Sequence, residues 1–199
     1  MTTFPIFIPS KGRVGVSKTI EHFNTLGHQV TVVVEPQEEE AYRSVYPFLL
    51  VLPENNKGIS FVRNWILAYC RKEGIEWYWM LDADITNFYH REGTKMIKDD
   101  YTVLLKAQEI FTKLPKIAQA SLEYQQFAWG ASKDYSLNSY QDVCVCINSK
   151  RTGDIIYREY VNLKEDRDFT MQIIKSGFDT CRVSLYAFAA PKNGSNKGG

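Results

Sequence analysis

No charge of one sign dominates this chain: 24 Lys plus Arg stand against 23 Asp plus Glu, a formal net charge of +1. That balance argues against an arm-type or histone-like nucleic-acid binder, whose affinity needs excess positive charge, and leaves only a local basic patch open. No apolar run approaches the roughly 20 residues that span a bilayer, so no membrane partner is expected. Cysteine is scarce and wrongly spaced for a zinc ribbon or thioredoxin motif: Cys70, Cys144, Cys146 and Cys181 contain no CxxC. Cys144 and Cys146 share one face of a strand, a geometry poorly suited to a disulfide. Reduced thiols acting as small buried hydrophobes are expected. The first nine residues lack a basic n-region and a small-residue cleavage site and read as a first strand rather than a signal peptide. A cytoplasmic location is the expectation, a host's cytoplasm if the chain is viral. There is no internal repeat and no linker. What is present is 199 residues with 44% hydrophobic and 24% charged side chains, a globular composition that suits one domain.

The first half alternates strand and helix. Strands are expected over 4–8, 30–34 (a β-branched block), 48–52 and 77–81, with helices over 16–26, 37–46 and 59–71. In the last helix Phe61, Val62, Trp65, Ile66 and Tyr69 form the stripe expected to face the core. Alternation without hairpin turns points to parallel βαβ units. The second half is less regular. Residues 95–100 are polar, 101–114 predict a helix, 120–129 and 142–148 predict strands of a mixed sheet, and 180–188 a last strand. Asn162-Leu163-Lys164-Glu165 has capping-box spacing, with Asn162 as N-cap of a helix ending at Gly177. Residues 191–199 form a Gly/Asn/Lys tail expected to be flexible.

Four segments carry chemistry. Leu81-Asp82-Ala83-Asp84 places two carboxylates directly after five apolar residues, at the carboxyl end of a buried parallel strand, the edge where open α/β sheets bind ligands. Two like charges held close are costly unless a cation lies between them; Mg²⁺ or Mn²⁺ shared with phosphate oxygens is the natural partner. A capping or solvated Asp pair is the alternative. Ser10-Lys11-Gly12-Arg13 follows the first strand, a Gly-containing cationic loop that suits nucleotide phosphates or base, although it is neither a Walker loop nor GxGxxG. Gly58 opens the helix bearing Arg63 and Asn64 near its N-terminus, where an anion is favoured. Glu165-Asp166-Arg167-Asp168 sits at a helix start, where the acids either serve the helix dipole or present a general base to an acceptor hydroxyl.

In this order these motifs resemble a nucleotide-sugar glycosyltransferase of the GT-A fold. Gly58, Arg63-Asn64 and Leu81-Asp82-Ala83-Asp84 are similar to the G-x-x-x-A-R-N…L-D-x-D pattern of family-2 transferases, with Val62 in place of Ala. Ile8-Pro9-Ser10-Lys11-Gly12-Arg13 and Glu165-Asp166-Arg167-Asp168 resemble more narrowly the phage TET-associated glycosyltransferases, thought to place sugars on hydroxymethylated pyrimidines in DNA. The resemblance implies a Rossmann-type mixed α/β sheet flanked by helices in a single domain over 1–199. Residues 1–90 would form the nucleotide-sugar half, 91–190 the acceptor half and 191–199 a flexible tail.

It further implies that Asp84, with Asp82, holds Mn²⁺ or Mg²⁺ on the donor diphosphate, a UDP-sugar first among donors. Ser10, Lys11, Gly12, Arg13, Glu35, Gly58, Arg63, Asn64 and Asp82 would contact the donor, and Asp166, with Glu165, would be the catalytic acid pair. Many relatives use a late His on the metal; none follows His90, so Asn193, Asn196 or water would stand in. The tail, with Lys192 and Lys197, would cover the diphosphate. For DNA, Tyr89, His90, Arg91, Tyr124, Phe127, Trp129, Tyr135 and Tyr140 offer stacking or polar groups, and Lys95, Lys98, Lys133, Lys150 and Arg151 could meet phosphates. The competing readings are the same fold acting on a protein, lipid or glycan, a sugar-nucleotide nucleotidyltransferase, and a nucleotide-binding module without activity.

Overall fold

The computed structural model describes residues 2–161 and 164–191. Ten strands form one mixed sheet in the order β3-β2-β1-β4-β9-β7-β10-β5-β6, with β8 on β10. β1 (Ile6–Pro9), β2 (Thr31–Val34), β3 (Leu49–Val51) and β4 (Trp77–Leu81) run parallel, as their short β-branched and apolar runs require. The helices between them are α1 (Lys18–Thr25), α2 (Glu39–Arg43, after a 3₁₀ turn at Pro36–Glu38) and α3 (Ile59–Lys72). The order reverses between β1 and β4, the topological switch point at which such sheets leave a crevice.

The rest of the sheet is mixed. β9 (Cys144–Asn148) is antiparallel to β4 along all five residues and to β7 (Ile117–Tyr124). β10 (Asp179–Ala189) is parallel to β7 and antiparallel to β8 (Tyr135–Leu137) and β5 (Asn87–Glu92). The helices of this half are α4 (Thr102–Phe111), α5 (Gln125–Ala128) and α6 (Glu165–Lys175).

Period-two alternation divides the core between the sheet's faces. Ile6, Ile8, Trp79 and Leu81 pack with Ile20 and Phe23 of α1 and Leu104 and Phe111 of α4. Phe7, Tyr78 and Met80 pack on the other face with Ile66 and Leu67 of α3 and Phe169 and Ile173 of α6. All four cysteines are free and buried, and Cys181 is pushed up to about 12 by burial, far from a reactive thiolate.

The second half departs from expectation in four places. The polar stretch 95–100 contains β6 (Lys95–Asp99), paired with β5 around a two-residue turn in which Gly93 has φ +61°. An edge strand carries charge and needs no apolar run, which is why its sequence reads as loop. The three-residue strand β8 (Tyr-Ser-Leu), paired with β10, is also absent from the expected strands. The strand expected over 120–129 ends at Tyr124, and α5 turns Phe127 and Trp129 outward to 57% and 59% exposure. Finally, α6 begins at Glu165 after Lys164, which has φ +65°. Glu165 is therefore its first residue and does not occupy the third-residue position of a capping box; Asn162 lies outside the described residues.

Candidate functional site

The loops after β1, β2 and β4 meet at one edge of the sheet. Ser10 is buried and shares a 2.8 Å hydrogen bond with the Tyr42 hydroxyl, which also accepts from the Arg13 backbone N–H at 2.9 Å. Gly12, at φ +64°, donates its N–H to Glu38. The Lys11 ammonium reaches Glu35 at 2.9 Å and Asn56 Oδ1 at 2.7 Å. Glu35 is 5% exposed and also accepts from the Asn56 backbone and the Gln37 amide. Asn56 lies in the loop that leads to Gly58, whose φ of +85° starts α3. Ser10, Lys11, Gly12, Arg13, Glu35 and Gly58 thus gather around one rim.

The acidic segment after β4 is pinned from α1. Ser17 Oγ donates to the Ala83 carbonyl at 2.7 Å, and buried Thr19 Oγ1 donates to the Asp82 carbonyl at 2.6 Å while accepting from Ile85 N–H at 2.8 Å. Asp82 continues the alternation of Tyr78 and Met80 and so faces α3 and α6. Its side chain retains 35% exposure, and the surrounding protein removes enough water to raise its pKa above the ordinary carboxylate value against the pull of Arg63. Asp84 stands 3.8 Å from Arg13, with 27% of its side chain exposed.

Arg63 corrects the sequence reading of α3. The expected stripe of Phe61, Val62, Trp65 and Tyr69 is only half-buried, and the buried face is Ser60, Arg63, Ile66, Leu67 and Cys70. The helix is rotated by about one residue because Arg63 finds its partners inside: Glu165 at 2.6 Å and Asp82 at 3.5 Å, with the Tyr157 ring beneath at 5.5 Å. Burial alone would weaken its charge, but these neighbours push its pKa up. Asn64 serves the scaffold: it donates to the Tyr157 carbonyl and accepts from the Tyr157 N–H, both at 2.7 Å.

Glu165 is held by Arg63, whereas the Asp166 carboxylate accepts a local bond from the Arg167 N–H at 2.7 Å and its carbonyl accepts from Thr170 Oγ1 at 3.0 Å. Asp166 lines a narrow cavity together with Arg63, Asp82, Gln119, Gln141, Asp142 and Tyr157. Burial raises the Asp142 carboxyl to about 6, opposed by Arg182, which stands 3.6 Å away. Arg182 and Arg167 each lie 4.2 Å from the ring of Tyr140, whose exposed edge faces solvent. The sequence reading missed Ser17, Thr19, Gln141, Asp142 and Arg182. For Asp142 a signal was available: like Asp82, it is an acid abutting an apolar strand.

Other expected residues lie elsewhere. Arg151 donates to the Ile117 carbonyl at 2.6 Å, at the start of β7 and the end of β9, and so belongs to the opposite edge with Lys150. His90 pairs with Asp99 at 2.8 Å on the β5–β6 hairpin. Lys192, Asn193, Asn196 and Lys197 lie outside the described residues. Among the described residues, no group of three or more His, Cys, Asp or Glu could hold a metal ion, and no helix is long and apolar enough to cross a membrane.

A sequence profile of the family described as TET-Associated Glycosyltransferase matches residues 4–199. No curated protein sequence matches this one. Among solved structures the chain is similar to A197 from STIV, with a TM-score of 0.58 at 13% identity over 96% of this chain and 87% of that one. It is also similar to GalNAc-T7 with UDP, GalNAc and Mn²⁺, with a TM-score of 0.59 at 9% identity over 94% of this chain and 43% of that one. UDP-glucose pyrophosphorylase complexed with UDP-glucose gives 0.52 at 10% identity over 96% of this chain and 92% of that one. At these identities the likeness concerns the fold.

Proposed function

The chain belongs to the TET-associated glycosyltransferase family, and from that membership we propose that it moves a sugar from a nucleotide-sugar donor, a UDP-sugar first among candidates, to a hydroxymethylated pyrimidine in DNA. The observation that carries the reading is a juxtaposition. The cationic loop Lys11-Gly12-Arg13 and the carboxylates Asp82 and Asp84 share one rim at the switch point, and Asp166 lines the same cavity as Asp82.

Arg13 and Lys11 are placed to meet nucleotide or diphosphate charge, and Glu35 fixes Lys11 there. The donor set fits a divalent ion of the kind that takes one or two carboxylates and completes its shell with substrate phosphates and water. Asp82 and Asp84 would hold Mn²⁺ or Mg²⁺, and when bound the ion would draw off charge developing on the leaving diphosphate. Arg63 limits the repulsion that the paired acids would otherwise suffer. Asp166 takes the proton of the acceptor hydroxyl onto its carboxylate as that oxygen attacks the anomeric carbon. Glu165 is assigned a positioning part, holding Arg63 beside Asp82. The exposed rings of Phe127, Trp129 and Tyr140 are available to an unstacked base.

Thermal shift with UDP- and GDP-sugars, with and without Mn²⁺, tests the donor site; a sugar nucleotide should stabilise the protein more when the metal is present. Mass spectrometry of hydroxymethylcytosine DNA incubated with protein and donor tests the acceptor: a hexose-sized mass increment supports it. Donor turnover without DNA modification, alongside modification of a protein or glycan, would remove the DNA acceptor and keep the transferase.

A further inference from the structure

Two of the residues that line the cavity shared by Asp82 and Asp166 carry buried polar atoms unpaired among the described residues. Gln141 is fully buried; its amide nitrogen donates to the Ser139 carbonyl at 2.7 Å, but its Oε1 has no partner among the described residues. Arg63 is 7% exposed, and while its terminal nitrogens hold Glu165 and Asp82, its Nε–H meets no acceptor among the described residues. Both residues line the cavity, as do the carboxylate-bearing Asp142 and Asp166. Buried polar groups are seldom left unmet in folded proteins, and the cost of leaving them so is felt until a ligand arrives.

The backbone adds a second observation. Val143 follows Asp142 with φ +59°, a left-handed conformation that is strained for a β-branched residue. The strained turn lets the Val143 carbonyl accept the Asp82 N–H at 2.9 Å and sets Gln141 and Asp142 beside the acidic segment.

The chemistry of the unused atoms narrows the ligand. An amide oxygen needs a donor, and a guanidinium N–H needs an acceptor. A hydroxyl supplies both, and a phosphate oxygen only the second. The cavity, about 10 Å³, admits one oxygen-sized group and no ring. It also lies between Asp82, on the diphosphate side of the reaction proposed above, and Asp166, on the acceptor side. The moiety between those two is the sugar being transferred.

We propose that Gln141 and Asp142, with Arg63 Nε, form a recognition site for one hydroxyl of the transferred sugar and so set which sugar this protein accepts. The proposal rests on the donor reading above. The test measures binding of UDP, UDP-glucose, GDP and GDP-mannose, each with Mn²⁺, to the wild-type chain and to Asp142→Asn and Gln141→Ala. For the nucleotide that the wild type accepts, both variants should keep the diphosphate affinity within about twofold and lose tenfold or more for the corresponding sugar nucleotide. Asp142→Asn preserves shape, so its result stands even if Gln141→Ala melts early. Equal weakening of both ligands, or no weakening of either, overturns the recognition site and leaves the donor site intact. A wild-type chain that binds none of the four overturns the donor reading, and this inference with it.

Discussion

Asp166 and Glu165 are neighbours in sequence with different surroundings, and the difference predicts different phenotypes. Asp166→Asn should lower turnover by roughly 10²- to 10⁴-fold, the usual contribution of a general base, while donor affinity measured by titration stays the same. A retained rate would remove Asp166 from the role. Asp142 predicts a pH dependence. Burial holds its folded pKa at about 6, above the ordinary value of 3.8. Between those values the folded chain keeps a proton that the unfolded chain has lost, so this carboxyl's contribution to stability falls as pH rises from about 4 to about 6. Asp142→Asn has no such titration. In metal-free protein the variant should therefore gain on the wild type by on the order of 2 kcal/mol across that interval, read from urea midpoints at each pH.

At the scale of elements, α1 fixes the geometry of the segment after β4. Thr19 Oγ1 is at once a donor to Asp82 O and an acceptor for Ile85 N–H inside the core. Thr19→Val keeps the shape and leaves that buried N–H unmet, at a cost of about 1–3 kcal/mol. Chemical denaturation should show that loss, and thermal shift with a sugar nucleotide should show a smaller stabilisation than the wild type gains, because Asp82-Ala83-Asp84 is no longer held. Equal donor response in the two proteins would mean that the segment holds its shape without α1.

Across the whole molecule, Arg63 joins α3, β4 and α6, and the sheet runs without a break from β3 to β6. Arg63→Met would leave the Asp82 and Glu165 carboxylates without their buried counter-charge. Breaking such a pair costs about 3–5 kcal/mol, and the loss should appear as one cooperative transition shifted to lower urea, since both halves share the sheet. Two separated transitions would instead mark 1–90 and 91–190 as independent units.

Local pattern determined the parallel half of the fold, because β-branched and apolar runs punctuated by Gly and Pro mark buried strands whatever surrounds them. It also marked Asp82, Asp84 and the loop after β1, since charge directly after a buried strand is conspicuous. It gave no sign of the β5–β6 hairpin, whose edge strand needs no apolar face, and it turned α3 by one residue by counting Arg63 as a surface group. Only the tertiary structure decided that charge's place. Burying a guanidinium is tolerable when carboxylates meet it, and Glu165 arrives from 102 residues away. Gln141 and Asp142 joined the site by the same route, carried to Asp82 by the pairing of β9 with β4, a contact that no short window of sequence contains.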